Sequence, residues 1–281
     1  MKIIFFGSSR YAVPVAEMLH TFYSLALVIT TEQGNQEAIP FYCKAKKIDC
    51  VKIIKSADLI SSYKIGGSGA SLGVVADFGL IIPPGVIDFF KFGIINIHPS
   101  LLPKYRGPSP VQSAILNGDS KTGVTIMQLD KYIDHGPILI QEEEGIAPND
   151  TSKSLYERLF KIGAVLLQKT IQKLETENLT PKEQDHENAT FTKQLKRDDG
   201  FVDFKTVSSK EFFDRLIRAY YPWPGVWTRL RLSYDGQAKV IKFLPGKKIQ
   251  VEGGREMLYK DFINGYPNAG KNLIEFLKKD I

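Results

Sequence analysis

The chain has 281 residues, of which 43% are hydrophobic and 24% charged, values typical of a globular protein with a sizeable core. Its formal net charge is +6, and no apolar run is long enough for a signal peptide or a membrane span. The sequence therefore predicts neither a secreted nor a membrane protein. The two cysteines, Cys43 and Cys50, lack metal-site spacing and disulfide-scaffold density, which predicts a cytoplasmic protein.

Strands and helices alternate in the first third of the chain. Short apolar runs predict the strands Lys2–Phe6, Leu25–Thr30, Cys50–Ile53 and Ser71–Ala76, with the helices Val13–Phe22 and Ile39–Lys47 between them. The turn Gly7-Ser8-Ser9 lacks the G-x-G-x-x-G pattern, which argues against dinucleotide binding. Alternation of this kind predicts an α/β fold with a Rossmann-like, doubly wound and mostly parallel sheet.

A fifth predicted strand, Ile94–His98, ends in two polar side chains. Asn96 and His98 are two residues apart, so they lie on the same face of an otherwise apolar strand. In open α/β sheets, ligands bind at the carboxyl ends of strands, which is where this pair falls. Pro99 ends the strand, and three further prolines, Arg106 and Gly107 follow and predict a rigid, shaped loop. The alternative is that both side chains are simply buried polar groups bonded to the backbone.

A hairpin follows this loop. The helix Ser109–Asn117 leads to a strand at Thr122–Leu129, the loop Asp130–Gly136 and a return strand at Ile138–Glu142. The loop carries Asp134, which we expect to fold back over the same sheet edge as Asn96 and His98. An amide can stabilise an oxyanion, an imidazole can move a proton, and a carboxylate can orient the imidazole or favour its charged form. These are the parts for acyl-type transfer without a side-chain nucleophile, and His135 is an alternative base.

The remaining chain predicts a second domain. A long amphipathic helix at Ser152–Glu175 precedes a polar stretch, so we predict an N-terminal domain over 1–178, a linker over 179–198 and a C-terminal domain over 199–281. The predicted C-terminal domain contains a helix at Ser208–Tyr221, short strands through Tyr259 and a helix at Lys271–Lys279. It contains 15 Lys and Arg against 10 Asp and Glu, which suggests a polyanionic partner, and a solvated basic surface with no partner is the alternative.

The stretch Asn96–Gly107 resembles the hallmark of the folate-dependent formyltransferases. Further similar stretches run almost from end to end: Ile4–Gly7, Val74–Pro83, Gly118-Asp119, Gly123–Met127, Asp130, Asp134–Gly136, Ala189–Lys193, Asp199-Gly200, Pro222–Gly225, Gly246–Lys248 and Asp261–Gly265. The resemblance implies a formyltransferase fold followed by an OB-like domain. The chain from Trp227 to Tyr259 is short for five strands, so we expect a trimmed OB-like domain.

The resemblance also implies the reaction and its residues. The donor would be 10-formyltetrahydrofolate and the acceptor the α-amino group of methionine on initiator tRNA, with no metal and a monomeric enzyme. Asn96 would stabilise the oxyanion, His98 would move protons, and Asp134 would pair with His98. The folate pocket would be lined by two loops that contribute Ser100, Leu101, Leu102, Pro103, Phe78, Gly79, Leu80 and Ile82.

Two other functions stay open. The segment Thr31–Phe41 contains Glu32 and Glu37 but neither Lys nor Arg, whereas the tRNA-modifying members usually carry a basic loop there. That difference favours a sugar-nucleotide N-formyltransferase with the same folate donor, while the linker motif and the basic C-terminal part favour tRNA. A non-catalytic folate- or RNA-binding protein is a third possibility, but a pure binder does not need all of Asn96, His98 and Asp134.

Overall fold

The computed structural model describes residues 1–32, 37–60, 63–207, 209–232 and 237–278. Ser208, Lys279 and part of the segment Thr31–Phe41, each included in a prediction above, lie outside these residues. The chain forms two compact units. The first comprises Met1–Pro110, Lys121–Gly145 and Tyr156–Lys193, and the second comprises Val111–Ser120, Ile146–Leu155 and Gln194–Ile281. The domain boundaries given above stay a prediction.

A central sheet organises the first unit. Its strands, among the described residues, are β1 (Lys2–Gly7), β2 (Ser24–Thr31), β3 (Cys50–Ile53), β4 (Leu72–Ala76), β5 (Ile94–His98), β6 (Lys121–Gln128) and β7 (Ile138–Gly145). They lie in the order β3-β2-β1-β4-β5-β6-β7. Pairing is parallel from β3 to β5 and antiparallel between β5, β6 and β7. The prediction of a mostly parallel α/β sheet is therefore confirmed.

Helices connect and cover the strands. Within the described residues they are α1 (Val13–Phe22), α2 (Ala38–Lys46), α3 (Ala57–Ile60), α4 (Tyr63–Gly67), α5 (Pro84–Ile87), α6 (Pro110–Asn117), α7 (Ser152–Glu175), α8 (Lys210–Tyr220), α9 (Tyr259–Gly265) and α10 (Lys271–Lys278). Prolines near the starts of α1 and α5 suit first-turn positions, where a backbone N–H has no helical acceptor. None of these helices is long and apolar enough to cross a bilayer.

The alternation of β5 decides which of its faces is free for chemistry. Ile95 and Ile97 are buried on the face opposite Asn96 and His98. On that apolar face α7 approaches closely at Gly163, where a Cβ would lie 2.7 Å from Cγ2 of Ile97. Dense packing behind the strand holds it in place, so the polar face can be presented as a rigid surface.

The second unit contains a separate antiparallel sheet. Its strands, among the described residues, are β8 (Val226–Arg231), β9 (Ala238–Leu244), β10 (Lys248–Val251) and β11 (Glu256–Leu258), in the order β11-β10-β9-β8. The ring of Phe243 on β9 lies 5.2 Å from those of Phe204 and Phe213, and Phe276 packs against the same pair. This aromatic cluster joins α8 and α10 to the sheet and forms the core of the unit.

Candidate active site

Asn96 and His98 lie at the carboxyl end of β5, on the face that the strand period predicts. In the antiparallel pairing with β6, Asn96 is opposite Met127 and His98 is opposite Thr125. His98 is only 3% exposed, and Asn96 is partly exposed. The strand ends there because Pro99 has no N–H for the ladder. The two side chains are therefore fixed side by side at the sheet edge.

The loop between β6 and β7 brings Asp134 to this pair. Its Oδ1 accepts a hydrogen bond from Nδ2 of Asn96 at 3.3 Å, and its Oδ2 lies 3.6 Å from Nδ1 of His98. The backbone N–H of Gly107 donates to Oδ2 at 2.8 Å. The three predicted catalytic side chains thus converge, although 38 residues separate Asn96 from Asp134.

The position of His98 fixes its tautomer. Nε2 lies 3.0 Å from the carbonyl oxygen of Tyr105, which can only accept, so Nε2 carries the hydrogen. In the neutral ring the lone pair is then on Nδ1, the nitrogen that faces Asp134. A proton taken up at Nδ1 would lie beside the Asp134 carboxylate. This arrangement is suited to accepting a proton during a reaction.

The loop predicted to line a folate pocket, Ser100–Pro103, is tied to the neighbouring strands. Oγ1 of Thr125 donates to the carbonyl of Ser100 at 2.6 Å and accepts from the N–H of Leu102 at 3.1 Å. Nε2 of Gln141 donates to the carbonyl of Leu102 and to Thr125, both at 2.8 Å. Ser100 and Leu102 are buried, and Leu101 and Pro103 are partly exposed. The loop is therefore a fixed wall beside His98.

The second predicted pocket loop follows β4. The hydroxyl of Ser8, at the end of β1, donates to the carbonyl of Phe78 at 2.9 Å, which fastens this loop to the sheet edge. Phe78 and Ile82 are buried in the hydrophobic core with Phe6 and Phe90, and Leu80 packs against that core while partly exposed. Gly79 takes a φ of +83° and is exposed. Gly79 and Leu80 thus remain accessible to a ligand, whereas Phe78 and Ile82 support the loop from inside.

A polar cluster formed by the buried side chains of Arg106 and Gln184 and the exposed ring of His186 was not expected from the sequence. Nε and Nη2 of Arg106 donate to Oε1 of Gln184 at 3.1 and 2.7 Å, and Nη2 also donates to Nδ1 of His186 at 2.8 Å. Burial lowers the pKa of the Arg106 guanidinium from its ordinary value, while Asp134 and Asp130 oppose that change. We call these three residues the Arg106 cluster. A lone glutamine in a polar stretch gives no periodic signal that could have identified it.

The alternative base, His135, joins this cluster from the hairpin. Its ring stacks on that of His186, with centroids 4.0 Å apart and planes 3° from parallel. Nδ1 of His135 donates to Oδ2 of Asp130 at 2.6 Å. Because His135 contacts His186 and Asp130 rather than the pair on β5, the geometry supports His98 as the base.

The residues predicted as a linker also pair with the loop after β5. The N–H of Arg106 donates to the carbonyl of Thr190 at 2.8 Å, and the N–H of Thr192 donates to the carbonyl of Arg106 at 2.7 Å. Oγ of Ser109 donates to the carbonyl of Lys193 at 2.7 Å. This part of the polar stretch is thus an ordered layer on the candidate site. Its Thr-rich motif, Ala189–Lys193, was the available sequence signal.

Taken together, the site offers one amide donor, one imidazole and one carboxylate at a sheet edge with fixed loops on either side. Among the described residues, no group of three or more His, Cys, Asp or Glu side chains is placed to hold a metal ion. A neutral amide donor beside a proton acceptor is the combination that attack on a carbonyl carbon requires.

Comparison with known proteins gives a consistent result. The formyl transferase family matches residues 27–171, slightly more than half of the chain. A methionyl-tRNA formyltransferase from Koribacter versatilis (strain Ellin345) is 34% identical, with 97% of this chain and 98% of the relative covered. Another from Roseiflexus sp. (strain RS-1) is 39% identical, with 82% of this chain and 74% of the relative covered.

A solved structure shares the fold. The N-formyltransferase from Helicobacter canadensis, in complex with folinic acid and dTDP-3-aminofucose, aligns with a TM-score of 0.63. The alignment covers 89% of this chain and 95% of that chain at 21% identity. At this identity the likeness shows a common fold and does not indicate which acceptor is used.

Proposed function

We infer the function from one premise: the chain belongs to the formyl transferase family and, within it, to the methionyl-tRNA formyltransferases. It transfers the formyl group of 10-formyltetrahydrofolate to the α-amino group of methionine on initiator tRNA, for translation initiation. The observation that carries this proposal is the convergence of Asn96, His98 and Asp134 at the carboxyl end of β5.

In the proposed mechanism the amine attacks the formyl carbon directly. A bond forms between the amine nitrogen and that carbon, the carbonyl electron pair moves to the formyl oxygen, and collapse breaks the bond to N10 of the folate. Asn96 stabilises the oxyanion. One of its amide hydrogens goes to Asp134 at 3.3 Å. The second has no acceptor among the residues that the structure describes, so it can donate to the developing charge.

His98 and Asp134 handle the proton. Nδ1 of His98 accepts the proton that the amine nitrogen loses, because Nε2 is already committed to the carbonyl of Tyr105. The Asp134 carboxylate, 3.6 Å away, stabilises the imidazolium. The same proton then goes to N10 of the folate when the intermediate collapses. No covalent enzyme intermediate is involved, and the mechanism needs no metal.

The two fixed loops hold the donor, with Ser100–Pro103 on one side and Phe78–Ile82 on the other. A relative of the same fold was solved with folinic acid, which supports a folate in this fold. The second unit is a trimmed OB-like domain that binds the tRNA, supported by its antiparallel sheet and basic composition. The enzyme works in the cytoplasm as a monomer, a proposal that light scattering during gel filtration tests.

The test is a formylation assay with one donor and two acceptors. Charged initiator methionyl-tRNA and an amino-sugar nucleotide are each offered with 10-formyltetrahydrofolate. The proposal predicts turnover with the tRNA, and exclusive turnover with the sugar would contradict it. The sugar-nucleotide alternative is included because the segment Thr31–Phe41 has no basic residue.

The dependence of binding on salt concentration is a second, independent test. Association with tRNA releases counterions. The logarithm of the binding constant should therefore fall linearly with the logarithm of the salt concentration, with a slope of roughly 0.7–0.9 per neutralised phosphate. A sugar nucleotide, with two phosphates at most, should respond far less. Weak salt dependence of tRNA binding would contradict an electrostatic role for the basic second unit.

A further inference from the structure

We propose that Gln184, held by Arg106, is a positioning residue that fixes the hairpin carrying Asp134. Its effect on turnover rests on the proposed function, whereas its effect on the hairpin can be measured without any assay of formylation. Gln184 and Arg106 lie outside the Asn96, His98 and Asp134 set. Hydrogen bonds from Gln184 join the polar stretch after α7 to the loop between β6 and β7.

The hairpin needs support because its backbone is unfavourable. Asp134 takes a φ of +48°, in the left-handed region. For a residue with a Cβ this region costs about 1–2 kcal/mol. The turn is also tight, since a Cβ at Gly136 would collide with the carbonyl oxygen of Gln128. Contacts from elsewhere must therefore hold this loop in the conformation that aims the carboxylate at His98.

Gln184 supplies that contact to the backbone itself. Its Nε2 donates to the carbonyl of Asp134 at 2.9 Å and to the carbonyl of Gly136 at 2.7 Å. Both amide hydrogens are thus used on the two carbonyls that flank His135. The side chain is 5% exposed, so water does not compete readily for these groups. One buried amide therefore fixes the turn on both sides.

Arg106 fixes the orientation of that amide. A guanidinium only donates, so its two bonds identify the atom of Gln184 that it contacts as the oxygen. Nε2 must then face the hairpin. Arg106 is 3% exposed and also donates to His186, which stacks on His135. A basic residue beside a site for an anionic acceptor would ordinarily be interpreted as a phosphate ligand, but this one is committed to supporting the hairpin.

Loss of the Gln184 contacts should affect the hairpin and leave the predicted donor loops unchanged. Gln184 contacts the hairpin and Arg106, whereas the predicted donor loops are held by Ser8, Thr125 and Gln141. Releasing the hairpin should displace the Asp134 carboxylate and leave those loops in place. A displacement of 1 Å at a catalytic group costs on the order of 100-fold in rate. We therefore expect a loss in kcat with little change in either KM.

The decisive variant is Gln184→Glu. A carboxylate still accepts from Arg106 but cannot donate to the carbonyls of Asp134 and Gly136. Gln172→Glu is the matched control, because it makes the same chemical change at an exposed position of α7. For Gln184→Glu we expect kcat lower by on the order of 10–100-fold with both KM values unchanged. If the Gln184→Glu variant does not fold, Gln184→Met is used in its place. Methionine has a side chain of similar length and makes none of the hydrogen bonds to Arg106, Asp134 and Gly136.

Hydrogen exchange of residues 128–138, followed by mass spectrometry, gives the readout that does not depend on activity. We expect faster exchange there in Gln184→Glu and wild-type exchange in Gln172→Glu. Unchanged exchange in the Gln184 variant would overturn the proposal, even if kcat fell. If the wild-type chain formylates tRNA, a wild-type kcat in the Gln184 variant would overturn the proposal as well. If the wild-type chain does not formylate tRNA, the proposed function fails, and the exchange result alone still decides for or against the positioning role.

Discussion

Gly107→Ala tests whether the close approach of two backbone segments shapes the site. Gly107 takes a φ of +103°, a conformation that residues with a Cβ rarely adopt. A Cβ there would lie 2.8 Å from the carbonyl oxygen of Thr192 and 2.9 Å from its Oγ1. The carbonyl belongs to the backbone and cannot move away as a flexible side chain would. Alanine must therefore push the two segments apart.

The stability that Gly107→Ala is expected to lose has two contributions. The backbone conformation costs about 1–3 kcal/mol and the overpacking a further 1–3 kcal/mol. A loss of that size should lower Tm by on the order of 10 °C. Gly69→Ala in the same unit is the control, because φ there is +64° and no atom of the described residues lies within 4 Å of its added Cβ. It should cost about 1–2 kcal/mol, a few degrees of Tm.

Thermal denaturation followed by far-ultraviolet circular dichroism compares the two variants directly. The N–H of Gly107 donates to Asp134 at 2.8 Å, so kcat should fall in Gly107→Ala and stay at the wild-type value in Gly69→Ala. Equal losses of Tm in both variants would refute the reasoning, because they would mean that the steric contact with Thr192 contributes nothing.

Three further predictions follow from the site and the cores. Asn96→Ala and His98→Ala should each still fold and lose on the order of 100–1000-fold in kcat, measured by tRNA formylation, and a near-wild-type rate in either would remove that residue from the mechanism. Thr125→Val removes the bonds to Ser100 and Leu102 and should raise the KM for the folate donor, with roughly 1–3 kcal/mol of lost stability; an unchanged KM would separate that loop from the donor site. Phe243→Ala should cost about 3–5 kcal/mol in chemical denaturation, since its ring is 2% exposed, whereas the 74% exposed Phe41→Ala should cost little.

The sequence predicted the parts of the fold that short apolar runs and strand alternation determine. The strands of the first sheet and the convergence of Asn96, His98 and Asp134 follow from period 2 and from the hairpin after β6. The short helices α3, α4, α5 and α9 were not predicted, because four to seven residues give too few turns for a helical period. The trimmed OB-like barrel stays a prediction.

Polar residues were harder to place than apolar ones. The stretch after α7 is rich in Lys, Glu, Asp and Asn, and composition alone predicts a solvated linker. Gln184 is nevertheless 5% exposed and Thr190 pairs with Arg106, because the loop after β5 presents backbone groups that need partners. Such pairing depends on which distant segment arrives, and a single sequence does not carry that information.

The backbone conformation of the loop after β5 could not be predicted from the conformational preferences of its residues. Tyr105 and Gly107 take φ values of +61° and +103°, which turn the carbonyl of one and the N–H of the other toward the site. That carbonyl sets the tautomer of His98, and that N–H holds Asp134. Two of the proposed catalytic side chains are therefore oriented by the backbone of one loop rather than by neighbouring side chains. A substitution that leaves His98 and Asp134 untouched but straightens residues 105–107 should consequently disable both together.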